Sequence, residues 1–264
     1  MKYLAATKSD QSIIINGFGL SGVTDISATY SIRKDPKNIL GAGYVTQSLS
    51  GPPEASLSIS RNMVSTDPLL NLTGDIGFSG TIDYLGKKLG FSSGYLNSYS
   101  ISCQVGAVPS VEVDIGVFSD FGTGLVEAET GTHPSIQIPN QGSIFIECKG
   151  SGTNRITNFD YNVSINREPV YAVNSFYPAD IVTQKPIEMS ANFTISIADY
   201  ETERMVEYLQ SQNESDISIV IKAPDLSQVI QTFEIKNASL TSEAFSSSLD
   251  SEANVSLSYV GYSN

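Results

Sequence analysis

The 264-residue sequence contains no tryptophan, one histidine and two cysteines. This scarcity removes several kinds of chemistry before any pattern is sought. The only imidazole, His133, lies in a Gly-Thr-His-Pro-Ser run. A Ser-His-Asp arrangement would have to use it, yet no Gly-x-Ser-x-Gly elbow or other nucleophile setting accompanies it. Cys103 and Cys148, far apart, and one loop histidine do not make a spaced zinc set. Asp67, Asp75 and Asp83 lack the spacing of a calcium loop. Glu201, Glu203 and Glu207 recur at helical spacing and read as a solvated face rather than an acid/base pair. NGFGLSG, from Asn16 to Gly22, resembles a phosphate loop only in composition, and its place between two strand-like runs makes it a hairpin turn. The expectation is a protein with no enzymatic site, no metal and no cofactor.

Basic residues are also few. Lys and Arg number 15 against 28 Asp and Glu, for a formal net charge of -13. A surface that embraces nucleic acid needs clustered bases to neutralise phosphates, so that class of partner is excluded. No segment approaches the roughly 20 apolar residues of a membrane span. The opening MKYLAATKSDQS lacks the long apolar core of a secretory signal, which leads to the expectation of a soluble protein made in a cytoplasm.

What is abundant is Ser, Thr, Gly, Asn, Tyr and Phe, in runs with period 2, which favours an all-β fold. Cys103 and Cys148 each fall at an apolar position of such a run, the setting of a reduced core thiol. One run occurs twice. VTDISATYSIRKDP (Val23–Pro36) is echoed by ITNFDYNVSINREP (Ile156–Pro169), pairing Thr24 with Thr157, Ser31 with Ser164, Ile32 with Ile165 and Pro36 with Pro169. Further matches follow in the same order. SIII (Ser12–Ile15) precedes the first copy and SIFI (Ser143–Ile146) the second. Val-Thr-Gln occurs at Val45–Gln47 and Val182–Gln184, and ASLSIS (Ala55–Ser60) answers ANFTIS (Ala191–Ser196). Each half then offers one helix-like stretch, STDPLLNLTG (with Ser65 or Thr66 as N-cap) and DYETERMVEYLQSQ. LNSYSISCQV and VEVDIGVF close the first half, and QTFEIKNASL and NVSLSYVGY the second. The sequence thus reads as two tandem β domains, residues 1–125 and 143–264, each with about six to eight strands and one short helix, joined by a linker over 126–142.

Two segments stand out as assembly elements. Lys37 to Pro53 and Val170 to Pro186 are longer than ordinary hairpin loops and too apolar for disordered ones. They supply the candidate contact residues Ile39, Leu40, Tyr44, Val45 and Gln47, and Tyr171, Phe176, Tyr177, Val182 and Gln184.

This plan of repeated strand, long loop, second strand and short helix resembles the tail tube domain of long-tailed phages and related contractile injection systems. The resemblance is one of architecture and covers nearly the whole chain. It implies a β-sandwich or barrel in each half, with the long loops stacking one ring on the next. It also implies a structural virion protein of the phage tail. Three two-domain chains would close a pseudo-hexameric ring, and stacked rings would contact other tail proteins and conduct DNA during ejection. Carboxylates in the lumen, with Asp25 and Asp160 as candidates, would keep the DNA from sticking. The alternative is a two-domain adhesin, tail-tip or capsid-decoration protein that binds a surface partner.

Overall fold

A computed structural model describes residues 11–38, 45–84, 87–123, 131–148, 156–196, 215–248 and 251–263. The first half carries β1 (Gln11–Ile15), β2 (Phe18–Gly19), β3 (Val23–Asn38), β4 (Val45–Asn62), β5 (Phe78–Tyr84), β6 (Lys87–Gln104), β7 (Ser110–Val117) and β8 (Phe121–Thr123). The second carries β9 (Ile144–Cys148), β10 (Ile156–Ser164), β11 (Arg167–Val170), β12 (Asp180–Thr183), β13 (Ile187–Ser196), β14 (Ser215–Lys222), β15 (Val229–Ser248) and β16 (Ser251–Ser263). The fold is all-β and every strand pairing is antiparallel.

The two halves use the same pairing order. The first runs β3-β4-β7-β6-β5-β1 and the second β10-β13-β16-β15-β14-β9. Their irregularities recur in matching places. A register shift falls between Val23 and Asp25 in β3 and between Ile156 and Asn158 in β10. Another falls between Leu96 and Ser98 in β6 and between Leu240 and Ser242 in β15. A third falls between Phe78 and Gly80 in β5 and between Ser215 and Ile217 in β14. Bulges bend strands and set their twist, so shared bulges mean that the two halves curve alike.

These registers correct parts of the sequence matching. Ser60 lies opposite Asp25 and Thr194 opposite Asn158, which puts Leu57, not Ala55, in the place of Ala191. Likewise Ile13–Ile15 correspond to Ile146–Cys148, because Gly80 and Ile217, their partners, both follow the shared bulge. Side chains repeat with period 2 along a strand, so a slip of one period preserves the face of every residue and leaves the sequence pattern intact.

Apolar alternation builds the core. Leu57 and Ile59 of β4, Val111, Val113 and Ile115 of β7, Tyr99 and Ile101 of β6, and Phe159, Tyr161 and Val163 of β10 are all buried. They form a single cluster with the second half's Phe193, Ile219, Phe233 and Leu257. Phe233 stands 5.0 Å from the Tyr161 ring and 6.1 Å from that of Tyr99. Cys103 is a free, buried thiol, and burial raises its pKa. The turn between β1 and β2 is Asn16-Gly17, both at positive φ, as a two-residue hairpin requires.

The first helix-like stretch forms only a three-residue 3-10 turn, Leu69–Asn71, with Pro68 rather than Ser65 or Thr66 at its N-cap. A run this short cannot repay helix nucleation, and its chain is held instead by a buried polar cluster. Arg61 lies 3.3 Å from Asp67, both almost wholly buried. Asp67 also accepts from the Tyr99 hydroxyl at 2.9 Å and the Leu69 N–H at 3.0 Å. The Asp67 N–H donates to Gln231 of the second half at 3.4 Å. The second helix-like stretch lies outside the described residues.

Candidate assembly surface

Two arms leave the sheet where the sequence places its long segments. In the first half the arm is not a loop: β3 and β4 continue as one hairpin until Asn38 stands opposite Val45 and Lys37 opposite Gln47. Extended pairing satisfies the backbone of a protruding segment, which an irregular loop of that length could not do. Val45 and Gln47 therefore sit on β4, while Ile39, Leu40 and Tyr44 lie outside the described residues. In the second half, β11 and β12 make a separate two-stranded sheet with residues 171–179 between them. The two Val-Thr-Gln tripeptides do not occupy matching positions, since Val182 faces Glu168 whereas Val45 faces Asn38.

The second arm presents its apolar residues to solvent. Val170, Tyr171, Val173, Phe176 and Val182 are all exposed, Val173 at 94%. Ile181 alone turns inward. Phe176 and Tyr177 meet edge to face at 5.5 Å, and the Tyr177 hydroxyl donates to Asp120, which pushes the Tyr177 pKa up to about 12. The Gln184 amide donates to Glu168 at 3.0 Å. Several exposed apolar side chains on one arm make it a candidate interaction surface.

Arg167 fixes the base of this arm to the first half. Its guanidinium donates to the carbonyls of Leu96 at 3.1 Å, Thr73 at 3.1 Å and Gly74 at 2.9 Å, and to the Thr183 hydroxyl at 2.7 Å. It also stacks over Tyr95, 5.2 Å from the ring centre. Burial lowers its pKa from the ordinary value, and nearby Asp75 partly restores it.

A second surface spans both halves. The face of the sheet opposite the core is lined by small polar residues in continuous cross-strand rows. One row runs Ser110, Ser102, Asp160, Asn192, Ser258, Ser242 over β7, β6, β10, β13, β16 and β15. Another runs Asp25, Ser60, Glu112, Ser100, Asn162, Ser190 over β3, β4, β7, β6, β10 and β13. A third joins Ser27, Ser58, Asp114 and Ser98, with the Ser98 hydroxyl donating to Asp114 at 3.3 Å. Hydroxyls, amides and carboxylates fill these rows, and none of their members is Lys or Arg. Asp25 and Asp160 both lie on this face. Sequence reasoning picked out those two acids on the polar face of the repeated strand, but not the rows that carry that face across the neighbouring strands. Its signal was present in the serines and asparagines alternating with each strand's apolar positions.

His133 is exposed and packs over Gly19, whose hypothetical Cβ would lie 2.3 Å from the imidazole. Among the described residues, no group of three or more His, Cys, Asp or Glu is placed to hold a metal ion, and no helix is long and apolar enough to cross a membrane. No protein-family model matches the chain, and no curated protein matches it in sequence. A functional reading therefore stands on the two surfaces.

Proposed function

We propose that this chain is a structural virion protein that self-assembles into stacked rings forming a phage tail tube, through which DNA passes during ejection. The observation that carries this reading is the polar sheet face. A wall that must let a polyanion slide needs negative charge, hydroxyls that exchange hydrogen bonds with water, and no bases to hold phosphates. The rows of Ser, Asn, Asp and Glu across both halves have that composition. The net charge of -13 agrees with it.

The shared strand order and shared bulges support a duplicated ring subunit. One chain would then occupy two neighbouring positions of a pseudo-sixfold ring, and three chains would close it. The covalent link removes part of the association entropy at every second junction. The exposed apolar arms are suited to stack one ring on the next and to meet other tail proteins. Electron microscopy and native mass measurement of the purified protein test the proposal. Rings of three chains, stacking into tubes, are expected. A stable monomer, or rings of six full chains, would overturn it, and a monomer that binds a cell-surface glycan would replace it with an adhesin.

A further inference from the structure

The arms leave one end of the sheet, and the opposite end carries an apolar patch. On β6 the second arm meets Leu96, whereas Ser102, further along, pairs with Ser110 and so lies level with Asn62, the last residue of β4. The chain continues from there into Val64, whose carbonyl accepts the Gln137 N–H at 2.6 Å. The Gln137 side chain reaches Gln228, next to the β14–β15 turn, at 3.5 Å. Ile136 and Ile138 flank Gln137, and Leu226 and Val229 lie within two residues of Gln228. All four aliphatic side chains are exposed, Ile136 at 66% and Ile138 at 56%.

This patch stands on fixed backbone. The Thr132 N–H donates to the Gly17 carbonyl at 3.2 Å, Pro139 is buried, and the turn is closed by the Gln228 carbonyl accepting from Ala223 at 2.8 Å and the Ala223 carbonyl from Leu226 at 2.9 Å. Leu226 has φ 61°, in the left-handed region where a bulky side chain is costly and Gly or Asn is the usual choice. A leucine held there with its side chain in solvent is a local strain that closing the turn does not require, and such strain collects at functional positions.

We propose that the patch receives the tip of the second arm from another copy of this chain, so that rings stack head to tail. Arm and patch lie at opposite ends of the same strands, and a copy displaced along the strand direction brings one onto the other. Their charges match as well. Residues 169–179 and 131–146 contain no Asp, Glu, Lys or Arg, whereas the whole chain carries a net charge of -13, so copies that repel elsewhere can meet through these two surfaces. Asp225, in the turn, spends its carboxylate on the Ser227 hydroxyl at 2.8 Å and the Ser227 N–H at 3.1 Å. The tip is already ordered, because Arg167 holds the base of the arm and the Tyr177 hydroxyl donates to Asp120, and Val173 and Phe176 are presented at little entropic cost. The contact is heterologous and runs along the strands, so repetition is open-ended and lengthens a tube. The inference rests on the stacking part of the reading above and assigns the surface that takes the arm.

The test uses the full chain carrying Val173→Cys and Ile136→Cys together, treated after assembly with a short bis-maleimide crosslinker and run on a denaturing gel. A ladder of dimers, trimers and longer covalent chains is expected, because each copy offers one such arm and one patch. A control pairing Val173→Cys with Asn162→Cys, exposed on the polar face, should give none. Ile136→Asp alters a side chain that is exposed in the free chain, and an unchanged urea midpoint checks that the fold is kept. It should raise the concentration at which half the chains are in tubes by about tenfold or more, since seating the arm would bury an unpaired carboxylate, while single rings still form. Tubes that give no ladder from Val173→Cys with Ile136→Cys, or tubes unaffected by Ile136→Asp, would overturn this contact and leave the tube reading standing. An unsubstituted chain that forms no stacked assembly would overturn both.

Discussion

Replacing Arg167 by Met should loosen the second arm from the sheet while leaving the sheet itself folded. The guanidinium makes three bonds to main-chain carbonyls and one to the Thr183 hydroxyl, and the side chain is 1% exposed. A hydrogen bond to a charged group contributes about 1.5–3 kcal/mol. The four bonds share one donor group and are not additive, and the Thr73 and Gly74 carbonyls can rebond to water once the arm lifts. The ion pair with Asp75 adds little, since that carboxylate is 65% exposed. The expected loss is therefore ~2–4 kcal/mol, well below the sum of the individual bonds. Met keeps the stem packed, so the loss reports on the fork. Arg167→Lys should recover only part of it, because an ammonium cannot span Leu96 on one side and Thr73 and Gly74 on the other. Urea unfolding gives the magnitude. Hydrogen exchange locates it: the amides of Ala179 and Gln184, which bond to Val170 and Asn166 at 2.8 Å each, should exchange faster, with β6 and β7 unchanged. A stability change below about 0.5 kcal/mol, with those amides as protected as before, would refute the anchoring role.

Three other outcomes follow from buried features. Asp67→Ala leaves the Arg61 charge and the Tyr99 hydroxyl without their partner and should cost ~3–5 kcal/mol in urea unfolding; a neutral result would mean that the cluster carries no net stability. Burial holds the Tyr161 hydroxyl protonated, with its pKa pushed from 10.0 to about 12. The folded chain thus binds this proton more tightly than the unfolded one. Stability is complete below pH 10 and falls as pH rises towards 12, by ~1.4 kcal/mol per pH unit. Tyr161→Phe should flatten that slope, and an unchanged alkaline transition would contradict it. Gly261→Ala would place a methyl 2.3 Å from Cγ2 of the fully buried Ile235, and overpacking of that kind should lower stability by ~1–3 kcal/mol, read as a shift of the urea midpoint; an unshifted midpoint would mean that the β15–β16 contact relaxes freely.

The all-β class was legible because every long strand alternates, and alternation over eight or more residues admits little else. The repeated strand was legible too, through Thr24, Ser31, Ile32 and Pro36. VEVDIGVF and its counterpart NVSLSYVGY fall on β7 and β16, where the registers put Val113 and Leu257 at corresponding positions. ASLSIS and SIII slipped by one strand period, because composition cannot distinguish two registers that bury the same face, and LNSYSISCQV was matched too early, since Leu96 corresponds to Leu240, the last residue of QTFEIKNASL. The first arm read as a loop because it lies between two good strands and is longer than an ordinary hairpin turn, yet pairing of β3 with β4 carries the strands through most of it. STDPLLNLTG looked helical by its caps, but Asp67 is taken by Arg61 of β4 and by Tyr99 of β6, the latter 32 residues away in sequence.

By itself, then, the amino-acid order determined the strand content and the acidity, properties of composition and of residues close together in the chain. Only the tertiary structure decided which strands are neighbours. That choice gathers Asp25, Glu112, Asp114 and Asp160 with their serines onto one face, buries Val163 and Ile101 where β10 meets β6, and leaves Tyr30 of β3 exposed. Their burial depends on a partner strand distant in sequence, and period-2 alternation specifies the face a side chain takes but not what lies against it.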